Sequence, residues 1–151
     1  MLIKTWRLIT IVLVALLMGL GFAHVLERPA KMLYDAAFYL TLQKTLYVAW
    51  GPPNIGGILE PAAILSMFTL AFILRNKKRD FWLVLSAGIA LLAAFPFVFF
   101  AFVGPSNEIF LAATTNSIPD NWRELRDSWE TGHTIRFVLQ FFALILLLLT
   151  E

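Results

Sequence analysis

Long unbroken apolar runs, rather than polar and apolar alternation, dominate the pattern along this chain. Four stand out: Leu8 to Leu26, Ile58 to Leu74, Phe81 to Val103, and Phe137 to Leu149. An α-helix needs about 20 apolar residues to cross roughly 30 Å of hydrocarbon. The last run is short of that and must extend back through Ile135 toward Gly132, which carries His133 and Arg136 to the membrane interface, where an arginine can snorkel. The pattern predicts an all-α protein, a transmembrane four-helix bundle forming a single membrane domain over residues 1–151, with spans at about 8–26, 58–74, 81–103 and 132–149.

The two long connections, about Glu27 to Gly57 and Gly104 to Thr131, carry helical patterning of their own. Met32, Leu33, Ala36, Leu40 and Tyr47 predict an amphipathic helix over about 30–48, after Pro29 and before Gly51, Pro52 and Pro53, lying on the interface or capping the bundle. In the second connection Pro119 suits a first helical turn, with Ser117 as its cap and Asp120 near the positive end of the dipole. That helix can run on into the fourth span. Pro96 lies inside the third span, where a lone proline is expected to kink a helix that its neighbours tolerate.

Charge sets the expected orientation. Lys4 and Arg7 flank the first span and Arg75, Lys77, Lys78 and Arg79 join the second to the third, which places both ends of the chain in the cytoplasm and the long connections opposite. Short loops of this kind suggest a bacterial inner or plasma membrane. Lys4 and Arg7 ahead of an apolar run, with Gly21, Phe22 and Ala23 behind it, also resemble a secretion signal. The run is longer than a signal core and continues through His24 and Glu27 into a patterned segment, so it reads as a span. Hydrophobic residues make up 60% of the chain and charged ones 15%, a composition for which lipid is the expected solvent. No basic stripe exists outside the Arg75 to Arg79 loop, so nucleic acid is not an expected partner. With no cysteine, thiolate metal sites and cysteine nucleophiles are excluded.

The rare polar residues carry the candidate chemistry. His24 and Glu27 close the first predicted span, Glu60 starts the second, Asn107 and Glu108 end the third, and Glu130, His133 and Arg136 open the fourth, all at the non-cytoplasmic end. Ionisable groups near hydrocarbon are costly, so their convergence points to function. Trp122, Arg126, Trp129, His133, Arg136 and Gln140 recur at separations of four and three, one stripe along a helix. Read plainly, such a stripe is an interfacial belt in which tryptophans anchor and arginines meet headgroups, Asp127 or Glu124. A histidine and a glutamine on the same line tilt the reading toward a pocket.

Two chemistries compete there. His24, Glu27, Glu60, Glu108, Glu130 and His133 match in number the ligand set of di-iron carboxylate bundles, although the first pair is reversed in order and Glu27 precedes Arg28 and Pro29. A di-iron or copper site is therefore open, and haem on His24 and His133 less so. The other chemistry is metal-free, with a histidine taking a proton from a phenol-like substrate and an arginine holding the oxyanion. In that case His24, His133, Arg126, Arg136 and Asn107 are the catalytic candidates. Trp122, Trp129, Tyr39, Tyr47 and Phe110 would line a slot for a flat apolar molecule arriving from the bilayer. No nucleophile triad, phosphate loop or nucleotide fingerprint is present.

The segment Gly21 to Lys31, the run Leu59, Glu60, Pro61, Ala62, the positions Asn107 and Asn116 to Ile118, and the spacing W-x3-R-x2-W-x3-H-x2-R from Trp122 to Arg136 resemble the anthrone-oxygenase-like family of small four-helix membrane proteins. The resemblance covers nearly the whole chain. It implies an oxygen-dependent, monooxygenase-type oxidoreductase of a flat anthrone- or quinol-like compound, with His24, Glu27, Asn107, Trp129, His133 and Arg136 at its site. The other role considered is non-catalytic: an accessory subunit of a larger membrane complex, self-associating or bound to a partner membrane subunit, or a small-molecule carrier. A carrier would be expected to show helices broken at mid-bilayer.

Overall fold

The computed structural model describes all residues from Met1 to Glu151 and is helical throughout, without a strand. Four segments are long and apolar enough to cross a membrane: Leu2–Lys31, Ile55–Ile73, Lys78–Ala112 and Trp122–Leu148. The first is helix α1 and the second α3, while α2 is the short helix Ala36–Thr45 between them. The third segment comprises α4 (Lys78–Leu92), a wide-turned stretch Ala93–Val103 and α5 (Gly104–Ala112), and the fourth is α6 (Trp122–Leu148). Packing runs α1 to α3, α3 to α4, α4 to α6 and α6 back to α1, a closed ring of four.

The core and the surface separate as expected in lipid. Val14, Leu17, Ala63, Met67, Leu70, Val84, Ala87, Leu91, Ala143 and Leu147 form the main buried cluster. Leu8, Val12, Leu16, Phe72, Trp82, Ile89, Phe97 and Phe142 point outward. In water such exposure would be a liability; in a bilayer it is the solvent-facing surface, and close packing rather than apolarity holds the helices together. Thr10 Oγ1 and Ser66 Oγ, 2.7 Å apart, join α1 to α3 inside this cluster.

Several boundaries differ from those the sequence predicts. Helix α1 runs through Pro29 to Lys31. Proline removes the amide that would bond the Val25 carbonyl and its ring crowds that carbonyl, a disturbance confined to the end of the helix. The interfacial helix consequently starts later than residue 30: Asp35 caps it by accepting the Phe38 amide at 2.8 Å, it ends at Thr45, and a single 3-10 turn follows at Tyr47–Ala49. Ser117 is no helix cap. Its hydroxyl pairs with Thr114 Oγ1 at 2.8 Å within a tight turn, and α6 begins at Trp122, whose amide bonds the Pro119 carbonyl at 3.0 Å. Because α6 is unbroken to Leu148, the whole stripe from Trp122 to Gln140 lies on one helix.

The third span is the irregular one. At Phe95 the backbone leaves the helical region (φ −148°, ψ 122°), since the ring of Pro96 crowds a helical conformation of the residue before it. The chain then continues in wide turns to Val103, and this stretch packs closely on α6. Gly132 allows that approach, for a Cβ there would lie 2.8 Å from both Phe102 Cβ and Val103 Cγ2.

Candidate functional site

The stripe on α6 faces inward. Trp122, Arg126, Trp129, His133, Arg136 and Gln140 are all buried, which an interfacial belt would not require. At the centre the rings of His133 and His24 lie against each other, centroids 3.9 Å apart and planes inclined by 34°, α6 supplying one and α1 the other. Trp129 stands edge-on to His24 at 5.0 Å, and Tyr47 and Trp50 close the cage at 5.1 and 5.3 Å. Trp50 is held there by its carbonyl, which accepts the Gly56 amide at 2.8 Å; a Cβ on Gly56 would meet that oxygen at 2.4 Å.

Hydrogen bonds fix the walls. Trp129 Nε1 donates to Asn107 Oδ1 at 2.7 Å, and Tyr47 Oη donates to Glu27 Oε2 at 2.6 Å. Arg136 pairs with Glu60 through Nη2, and its Nη1 approaches His133 Nδ1 at 3.4 Å. Beside the cage Lys31, only 1% exposed, sits between the faces of Tyr47 and Trp129 and pairs with Glu130 at 3.0 Å. Tyr39 Oη donates to the same carboxylate at 3.1 Å and accepts from Gln43 Nε2 at 3.0 Å. Burial, foremost, and the neighbouring carboxylates Glu130 and Glu27 push both tyrosine hydroxyls, Tyr39 and Tyr47, above the usual tyrosine range, so both stay protonated.

A cavity of about 90 Å³ lies against these groups. Its lining includes His24, Tyr47, Asn107, Phe110, Trp129, His133 and Arg136, together with Glu60, Gln140, Trp50, Phe95 and Phe99. Three polar atoms buried at this site have no partner: His24 Nδ1, Arg136 Nε and Gln140 Oε1. Arg136 approaches the Nδ1 of His133, whereas the Nδ1 of His24 is buried without a partner.

Some sequence candidates lie elsewhere. Arg126 does not line the cavity; it bonds the Met32 carbonyl at 3.1 Å and Asp127 at 3.0 Å, and so joins α6 to the end of α1. Trp122 and Tyr39 belong to a separate aromatic cluster with Phe110. Arg136, expected to hold an oxyanion, has its charge matched by Glu60. The six proposed metal ligands do not assemble, and no three His, Asp or Glu groups stand where one ion could bind them. Glu60 is taken by Arg136, Glu130 by Lys31 and Tyr39, and Glu108 is exposed. His24 and His133 are already in contact, ring centroids 3.9 Å apart, and leave no gap in which both could clasp a haem. The donor set fits neither a dinuclear centre nor a bis-histidine haem.

Sequence reasoning passed over Lys31, Gln43, Trp50, Phe95 and Phe99 as site residues. Lys31 had a signal, falling four residues after Glu27 and seven after His24 on the same helix face. Gln43 had one as well, four residues after Tyr39 on α2, whereas Trp50, Phe95 and Phe99 come to the site through a loop and a broken helix that no periodicity describes.

No family model, no curated protein and no solved structure matches the chain. Fold and site together define the class: an all-helical bundle with four membrane-length apolar helices and a buried, aromatic-walled polar pocket at one end.

Proposed function

We propose that the protein is a membrane-embedded oxidoreductase that takes a small, flat, apolar aromatic compound from the bilayer and oxidises it with dioxygen at the His24–His133 pocket. The supporting observation is the free Nδ1 of His24, buried in an aromatic cage at the edge of a cavity. A base so placed removes a proton from a bound phenol or activated methylene, and the resulting anion is the species that dioxygen oxidises. For an anthrone-type methylene the balance is CH2 plus O2 giving C=O plus water. For a quinol, two O–H groups plus O2 give a quinone and hydrogen peroxide. The substrate enters neutral, because Glu60 and Glu130 already balance Arg136 and Lys31. In this reading the basic residues keep both termini in the cytoplasm and the pocket at the opposite end, and the short loops suit a bacterial inner or plasma membrane.

Oxygen uptake by purified protein, screened over phenols, quinols and anthrones, tests the reading. Wild type should consume oxygen with at least one class, and His24→Ala should lose that turnover while keeping its helical spectrum. Full activity of His24→Ala overturns it, as does a wild type inert toward every class.

One observation favours a second role. The third span is broken at Phe95, beside the cavity, as the membrane segments of carriers are at their binding sites. A carrier would move such a compound across vesicles without consuming oxygen.

A further inference from the structure

The dimensions and unpaired atoms of the pocket narrow its ligand, on the footing of the oxidoreductase reading above. A cavity of roughly 150 Å³ holds one benzene ring, and three fused rings need about twice that. The cavity here is about 90 Å³. One ring therefore fits only edge-first, part of it remaining in the mouth, whereas a rigid three-ring core would displace several fixed walls. Those walls are aromatic: His24, His133, Trp129 and Tyr47 present ring faces or edges that suit a planar guest.

Polar atoms give the second constraint. His24, Arg136 and Gln140 each line the cavity, are more than nine-tenths buried, and carry one buried polar atom without a partner. Arg136 Nε donates, Gln140 Oε1 accepts, and His24 Nδ1 accepts in one tautomer. A hydroxyl is the smallest neutral group that both donates and accepts. A hydrocarbon would leave all three atoms dry, and a carboxylate would bring a charge for which no cation is free, since Arg136 and Lys31 are paired. Gly21 contributes to this arrangement: a Cβ there would come within 2.6 Å of Gln140 Oε1, so its absence leaves the amide room beside α1.

We propose that the pocket binds a one-ring hydroxyaromatic headgroup, phenol or quinol, with its hydroxyl set among His24, Arg136 and Gln140 and its apolar chain left in the bilayer. A fused three-ring compound would leave most of its area outside the cavity and bind more weakly. The test is saturable quenching of tryptophan fluorescence in nanodiscs of zwitterionic lipid under argon, using decylhydroquinone, 4-decylphenol, decylbenzene and anthrone.

Both hydroxylated one-ring probes should bind at least ten times more tightly than decylbenzene, and anthrone should bind more weakly than either. Gln140→Leu should weaken the hydroxylated probes about tenfold and leave decylbenzene unchanged. The wild-type ligand series alone decides the matter if that variant does not fold. Anthrone binding as tightly as decylhydroquinone overturns the proposal, and so does equal binding of decylbenzene or no saturable binding at all. Tight one-ring binding without oxygen consumption supports this proposal and sinks the oxidoreductase reading. Oxygen-dependent turnover of anthrone without one-ring binding does the reverse.

Discussion

Replacing Glu60 by leucine removes the only carboxylate that meets Arg136. The arginine lies on α6 at 8% exposure, its Nε already lacks a partner, and its remaining contact, to His133 Nδ1, is long at 3.4 Å. Without Glu60 the guanidinium stays charged, because arginine does not deprotonate in proteins. It would then be stranded beside an aromatic cavity. Removing one partner of a buried pair costs about 3–5 kcal/mol, while replacing both partners by apolar residues of similar volume is often close to neutral. Glu60→Leu should therefore destabilise the bundle by about 4 kcal/mol, and the double variant Glu60→Leu, Arg136→Met by less than about 1.5 kcal/mol. Reversible unfolding in mixed micelles, followed by circular dichroism for wild type, both single variants and the double variant, gives the coupling energy directly. A loss below about 1 kcal/mol in Glu60→Leu, or additive single effects with no coupling, refutes the claim that this pair is desolvated and mutually dependent.

Three further outcomes follow from the geometry. Gly132→Ala pushes a methyl into Phe102 and Val103 at 2.8 Å, so thermal unfolding should show a loss of about 1–3 kcal/mol, relieved only in part when Val103 is also made alanine because the contact with Phe102 Cβ remains. Trp129→Phe deletes the 2.7 Å bond to Asn107 and trims the buried wall against His24 and Lys31, and should cost about 1–3 kcal/mol without altering helix content. Tyr39 and Tyr47, outside the membrane-length helices, have hydroxyls held above the usual value of about 10. The folded state keeps protons there that the unfolded chain releases, so this contribution is complete below about pH 10 and falls as the pH rises beyond it. Unfolding measured at pH 8 and pH 11 should show that decline, smaller in Tyr39→Phe, Tyr47→Phe than in wild type.

The segments of this protein were legible in the sequence because each is set by local chemistry. Apolar runs of membrane length announce spans wherever they occur, and four-and-three spacing puts Trp122, Arg126, Trp129, His133, Arg136 and Gln140 on one line of any helix they form. Their placement at one end followed from alternating the direction of the spans. Pairing was not legible, since it depends on which helix lies beside which and at what height. Glu60 and Glu130 could have joined a metal set; tertiary packing gave one to Arg136 and the other to Lys31 and Tyr39, and left Glu108 outside. Arg126 and Arg136 look equivalent on the stripe, yet ten residues of rise, about 15 Å, put one at the end of α1 and the other at the cavity. The contact of His24 with His133 and the closure by Trp50 depend on the approach of α1 to α6 and on a loop anchored at Gly56. Periodicity tells which face of a helix a residue shares, and only the folded chain decides what that face meets.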